Sequence, residues 1–212
     1  VNLDLVALLA ITALWLAAGI VAEGLPRPAT ARAMRRRTGW LAGLTLTGLV
    51  GLAVLGTAAL TSQDPVTTSQ NLVTTRQAPT DAAMAGLALP VVPAAVVALG
   101  SVRRLRRLWT GATAFASAPG TPTAPALTAG AAHPMIALPI QITGLATLPV
   151  AATAADLLPL TGPNLIGLVL TGAVLVVATI GVRHALRHSR LTEAVVTVRP
   201  RSPRAAGGVL HV

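Results

Sequence analysis

Cysteine, tyrosine and lysine are missing from this 212-residue chain, and phenylalanine occurs once. Without cysteine there is no disulfide, thiolate metal site, iron–sulfur ligation or cysteine nucleophile. Without tyrosine the tyrosyl chemistry of some redox enzymes is excluded. Aromatic residues make up 2% of the chain, too few to stack the bases of a nucleic acid, so the net charge of +10 does not point to DNA or RNA. Charge itself is scarce. Soluble domains carry about 25% charged residues, whereas this chain carries 10%, with six carboxylates. Six carboxylates cannot wet a surface that is 53% hydrophobic, with a mean hydropathy of +0.72. The class this dictates is an all-α, polytopic integral membrane protein, with one transmembrane domain over 1–190.

Arginine stands wherever lysine would. All sixteen basic residues are arginine, and with so much Ala, Gly, Pro and Thr this reads as the codon bias of a high-GC bacterium. Five apolar runs approach the ~20 residues a span needs: 3–22, 40–61, 82–101, 135–158 and 164–182. The first reads as a span rather than a signal peptide, because no basic residue precedes it and no clear A-x-A site follows. With five spans, Arg76 is the one arginine on the far side, and the other fifteen share a side. The positive-inside rule then predicts the N-terminus outside, the C-terminus in the cytoplasm, and the cell membrane as location. Composition predicts a flexible cytoplasmic linker over 110–132, with a short surface helix around Trp109–Phe115, and a cytoplasmic tail over 191–212.

Four groups of residues invite a functional reading. Arg35, Arg36 and Arg37, then Arg103, Arg104, Arg106 and Arg107, suit the headgroups of an anionic inner leaflet, or serve as topological anchors beside the interfacial Trp40 and Trp109. His133, His184 and His188 flank the fourth and fifth spans on one side, where three imidazoles would form a metal or haem site if they converged. Against that, no Cys or nearby carboxylate completes the set, Arg183 and Arg187 repel a cation, and the sequence assigns no metal and no cofactor. Span four is broken by Pro139 and Pro149, whose freed carbonyls must find partners in the protein or a wet cavity. It also carries Gln141, Thr143, Thr147, Thr153 and Asp156, and Gln141 and Asp156 are the candidate substrate-binding residues of a transport reading. Finally, Gly43, Thr47 and Gly51, widened by Gly48 and Gly56, make a small-residue packing stripe.

No G-x-S-x-G, phosphate-binding loop or dinucleotide fingerprint is present, and the carboxylates are scattered. The expectation is therefore a non-catalytic component, an accessory or assembly subunit that docks on a protein partner or on its own copies within an anionic bilayer. A small transporter or channel using the proline-broken fourth span is the second reading, and a metal or haem enzyme using the histidines is the third.

Overall fold

A computed structural model describes residues 3–61, 91–118, 120–157 and 163–198. These residues are all-α, with five long helices and one short one: α1 Leu3–Glu23, α2 Ala31–Thr61, α3 Val91–Phe115, α4 Pro125–Ala131, α5 Pro134–Ala154 and α6 Pro163–Val198. Among the described residues, four stretches are long and apolar enough to cross a membrane: Leu5–Glu23, Ala31–Thr57, Pro125–Ala154 and Gly167–Thr197.

Helical spacing of small and apolar residues builds the core. On α2 the buried positions Met34, Thr38, Leu41, Thr45 and Gly48 recur at three and four residues, which is one helix face. On α3 the buried face is Ala94, Ala98, Ser101, Leu105, Leu108 and Ala112. Helix α5 is apolar all round and lies at the centre, packed on α1, α3 and α6, while α2 packs on α1 and α3. A helix without a polar face is stable only when surrounded. The α1–α5 crossing is close because Gly144 faces the Trp15 backbone; a Cβ there would lie 3.4 Å from the Trp15 carbonyl. Buried threonines do not disturb this packing. Thr38, Thr45 and Thr143 each donate to the carbonyl four residues back on their own helix, the usual way a hydroxyl is satisfied in an apolar setting.

Caps set the helix ends. Thr30 Oγ1 accepts from the Ala33 N–H at the start of α2, and His133 Nδ1 accepts from the Met135 N–H at the start of α5, with Pro134 in the first turn. Helix α5 is closed by Asp156, two residues past Ala154, whose φ of 55° allows Leu157 N–H to reach the Ala152 carbonyl and Asp156 N–H the Thr153 carbonyl. This is a Schellman turn, in which Asp substitutes for the commoner Gly.

Several expectations change. Spans two and five sit in longer helices than their apolar runs: α2 starts nine residues before Trp40, and α6 continues to Val198, sixteen residues past Val182. Arginine is a good helix former, so a basic flank extends a helix instead of ending it. The third run, 82–101, lies partly outside the described residues; its remainder, from Val91, leads into the arginine-bearing turns of α3. Trp109–Phe115 forms the last turns of α3 and not a separate surface helix.

The linker expected over 110–132 holds regular structure. Thr121 O accepts from the Ala31 N–H, Thr123 N–H donates to Ala29 O, and Thr123 Oγ1 donates to Pro28 O, so the segment pairs with the α1–α2 loop. Helix α4 comes next, with Ala129 and Ala131 buried. Of the tail expected over 191–212, residues 191–198 belong to α6, and 199–212 lie outside the described residues. The small-residue stripe divides. Gly43 and Thr47 face outward, while the seam against α1 runs through Gly48 and Gly51.

Candidate functional site

All arginines among the described residues gather at one end of the bundle, where α1 ends, α2 begins and α6 passes the last turn of α1. The contacts that tie this arginine end together are polar. Arg37 donates to the Gly24 carbonyl at 2.9 Å, which also accepts from the Arg27 N–H of the α1–α2 turn. Arg183 bridges to Glu23 at 2.6 Å, and Arg187 donates to the Glu23 backbone carbonyl at 3.0 Å.

The centre of the site is His184, 3% exposed. Its Nε2 lies 2.9 Å from Gln141 Oε1 and 3.5 Å from Glu23 Oε2. The Gln141 amide is held on its other side, where Nε2 donates to the Gly19 carbonyl at 3.3 Å. A carbonyl only accepts, so the amide nitrogen must face Gly19 and the amide oxygen must face the ring. His184 therefore carries its proton on Nε2. One chain of polar groups thus joins α1, α5 and α6, and it depends on the close approach of Gly19 to Gln141, where a Cβ would lie 3.3 Å from Cγ.

Two of the three histidines flagged from the sequence do meet. The His133 and His188 rings are 5.0 Å apart, inclined at 57°. His188 Nδ1 faces the Ala129 carbonyl at 3.1 Å, which requires an Nδ1–H donor. His133 spends its Nδ1 lone pair on the Met135 N–H, so the neutral ring holds its proton on Nε2 and offers no free lone pair to a metal. His184 turns instead to Gln141. Among the described residues no group of three or more His, Cys, Asp or Glu is placed to hold a metal ion.

The polar residues of span four separate in the same way. Gln141 is in the site just described, while Asp156 is exposed beyond the far end of α5, about 22 Å away at 1.5 Å per residue. Thr143 and Thr153 fold back onto the carbonyls of Pro139 and Pro149, and Thr147 onto Gly144 O. Of the suggested headgroup arginines, Arg37 is bonded to the Gly24 carbonyl in the α1–α2 turn. Arg35 and Arg36 line a groove with Trp40 and Trp109, and Arg103, Arg104, Arg106 and Arg107 stand exposed along α3. Glu23, Gly19 and Ser101 were not singled out from the sequence. The signal for Glu23 was a lone carboxylate closing an apolar span in a chain of arginines.

Beside Gln141 and His184 lies a cleft of about 380 Å³, lined also by Trp15, Gly19, Glu23, Gly144 and Arg183. It adjoins a wider groove of about 880 Å³ between the end of α1 and the flank of α6. The site presents fixed donors and arginines above apolar walls, but no nucleophile–base pair. Gln141→Leu keeps the volume and removes both amide bonds, leaving the buried imidazole N–H with Glu23 Oε2 at 3.5 Å as its nearest acceptor. The expected loss is about 2–3 kcal/mol, measured as a lower unfolding midpoint in detergent.

Comparison with protein-family models, curated proteins and solved structures found no match to this chain.

Proposed function

We propose that the chain is a non-catalytic membrane component, an accessory or assembly subunit that docks on a larger membrane complex through α6. The observation that carries this reading is the exposure of that helix. The membrane-crossing window of α6 is 6% buried within the chain, against 44% for the window ending in α5. Leu168, Val174 and Leu175 all point outward. The polar side chains that suggested chemistry are meanwhile occupied in joining helices. We further propose the cell membrane of a high-GC bacterium as the setting, with five spans, the N-terminus outside and the arginine end in the cytoplasm. The gathering of the described arginines at one end supports that orientation.

A photo-crosslinking residue placed at Leu168 or Val174 is expected to give a discrete adduct with a second polypeptide in native membranes. Lipid adducts alone, together with a monomer on gentle purification, would overturn the subunit reading.

The cleft beside Gln141 favours one alternative, a small transporter. If that holds, vesicles carrying the chain conduct protons, monovalent cations or small anions faster than empty vesicles, and Gln141→Leu abolishes the difference. Flux equal to that of empty vesicles rejects it.

A further inference from the structure

Glu23, Arg27 and Arg183 line both clefts at the arginine end, so the two cavities share one polar mouth. On one side of Arg183 the inner cleft descends past Leu16, Ile20, Gly144 and Ile180. On the other side the outer groove follows Val182, Ala178 and Leu175 along α6. Arg187 and Arg190 stand at the head of that outer groove. From Arg183 to Leu175 is about 12 Å of helix, so each groove passes from guanidinium level to apolar wall within two turns.

Charge around this mouth is unbalanced. Glu23 is the one carboxylate among the residues lining either cavity, against Arg27, Arg183, Arg187 and Arg190. Its bonds to Arg183 and to Arg187 fix those two side chains in place, while Arg27 is exposed. Fixed guanidiniums match phosphate oxygens in geometry and charge. The cleft also has a structural reason to stay open. Helices α1 and α6 each pack on α5, and their polar contacts with one another converge on Glu23, which meets Arg183, His184 and Arg187.

We propose that this forked cavity binds one anionic diacyl phospholipid of the surrounding leaflet. The phosphate lies between Arg27 and Arg183, one acyl chain fills the inner cleft against α5, and the other runs along α6. Such a lipid completes the α1–α6 contact that the chain leaves unfilled. The proposal rests on the membrane reading above, and its mouth lies apart from the Arg35/Arg36 and Arg103–Arg107 clusters considered from the sequence.

The test uses the full chain with Trp40→Phe and Trp109→Phe, two exposed positions, so that Trp15 on the wall of the inner cleft is the remaining fluorophore. The chain is reconstituted in phosphatidylcholine vesicles containing brominated phosphatidylglycerol or brominated phosphatidylcholine. The phosphatidylglycerol is expected to quench Trp15 at a several-fold lower mole fraction. Arg27→Gln should reduce that preference about fivefold, the effect of one arginine near an anionic headgroup, and Arg35→Gln should leave it unchanged. Excess glycerol 3-phosphate should not reverse the quenching, because it lacks the chains. Native mass spectrometry of the wild-type chain should retain one phosphatidylglycerol, lost in Arg27→Gln, without reliance on the tryptophan background.

Equal quenching by both lipids, indifference to Arg27→Gln, or displacement by glycerol 3-phosphate would each overturn the proposal. Equal quenching leaves the membrane reading intact. Quenching by neither lipid removes both.

Discussion

Gly48→Ala destabilises the bundle, while Gly43→Ala, five residues away on the same helix, stabilises it. Intrinsic propensity favours alanine over glycine within a helix by about 1 kcal/mol, so a propensity argument gives both substitutions the same sign. Surroundings separate them. A Cβ at position 43 meets nothing within 4 Å, whereas at position 48 it lies 2.7 Å from Trp15 Cε2, 2.8 Å from Nε1 and 3.0 Å from Leu14 Cδ2. The obstacle is a fully buried indole and not the free end of a flexible chain. To admit the methyl group, α1 must move away from α2, and overpacking of this kind costs about 1–3 kcal/mol. Gly48→Leu should reach the top of that range or exceed it. Unfolding midpoints of the variants, measured in one detergent, check the prediction. A stabilising Gly48→Ala would mean that α1 and α2 are not in contact there.

Ser101→Ala should cost about 1–2 kcal/mol, and most of that cost should vanish when Pro139 is also replaced by Ala. Proline at position 139 has no N–H to offer the Met135 carbonyl one turn earlier. In the structure that carbonyl accepts a hydrogen bond from Ser101 Oγ of α3 at 2.9 Å, and Ser101 is fully buried. Removing the hydroxyl therefore leaves the carbonyl without a donor. Pro139→Ala restores the helical donor, and the hydroxyl becomes redundant. The double-mutant cycle should show a coupling of about 1–2 kcal/mol, with the two substitutions together less harmful than their sum. Simple additivity would show that Ser101 matters by volume and not by its bond.

These two results turn on features of unequal visibility in the sequence. A proline inside an apolar run announces that a carbonyl needs a partner, and that much was legible at Pro139. That Ser101, 34 positions before Met135, supplies the partner depends on how α3 lies against α5, which no local pattern encodes. The helices were legible because period and apolarity are local, but their lengths were not, because arginines at 32–37 and 183–190 continue the helix beyond the apolar run.

The segment before α4 reads as a linker because its order comes from bonds to residues 28–31, about 90 positions away. The histidines show a further limit. Four-residue spacing correctly puts His184 and His188 on one face of α6. One turn of rise is enough for His184 to meet α5 and α1, while His188 meets α4 and His133. Glu23 was visible as a residue but not as a junction, since Arg183 lies 160 positions away.

The cross-links between helices are unevenly distributed, and this divides the bundle mechanically. Among the described residues, the side-chain hydrogen bonds from one segment to another all lie at the arginine end: Ser101 to Met135, Gln141 to Gly19, His184 to Gln141, Arg37 to Gly24, Thr123 to Pro28, Arg183 and Arg187 to Glu23 and His188 to Ala129. Toward the other end the described contacts are apolar, around an open groove formed by Leu8, Leu52, Val92 and Val150. Apolar contact resists separation but scarcely resists sliding, because it has no preferred direction. The helices therefore behave like tines set in a common handle. Amide exchange should accordingly slow progressively along α1 and α5 toward the handle.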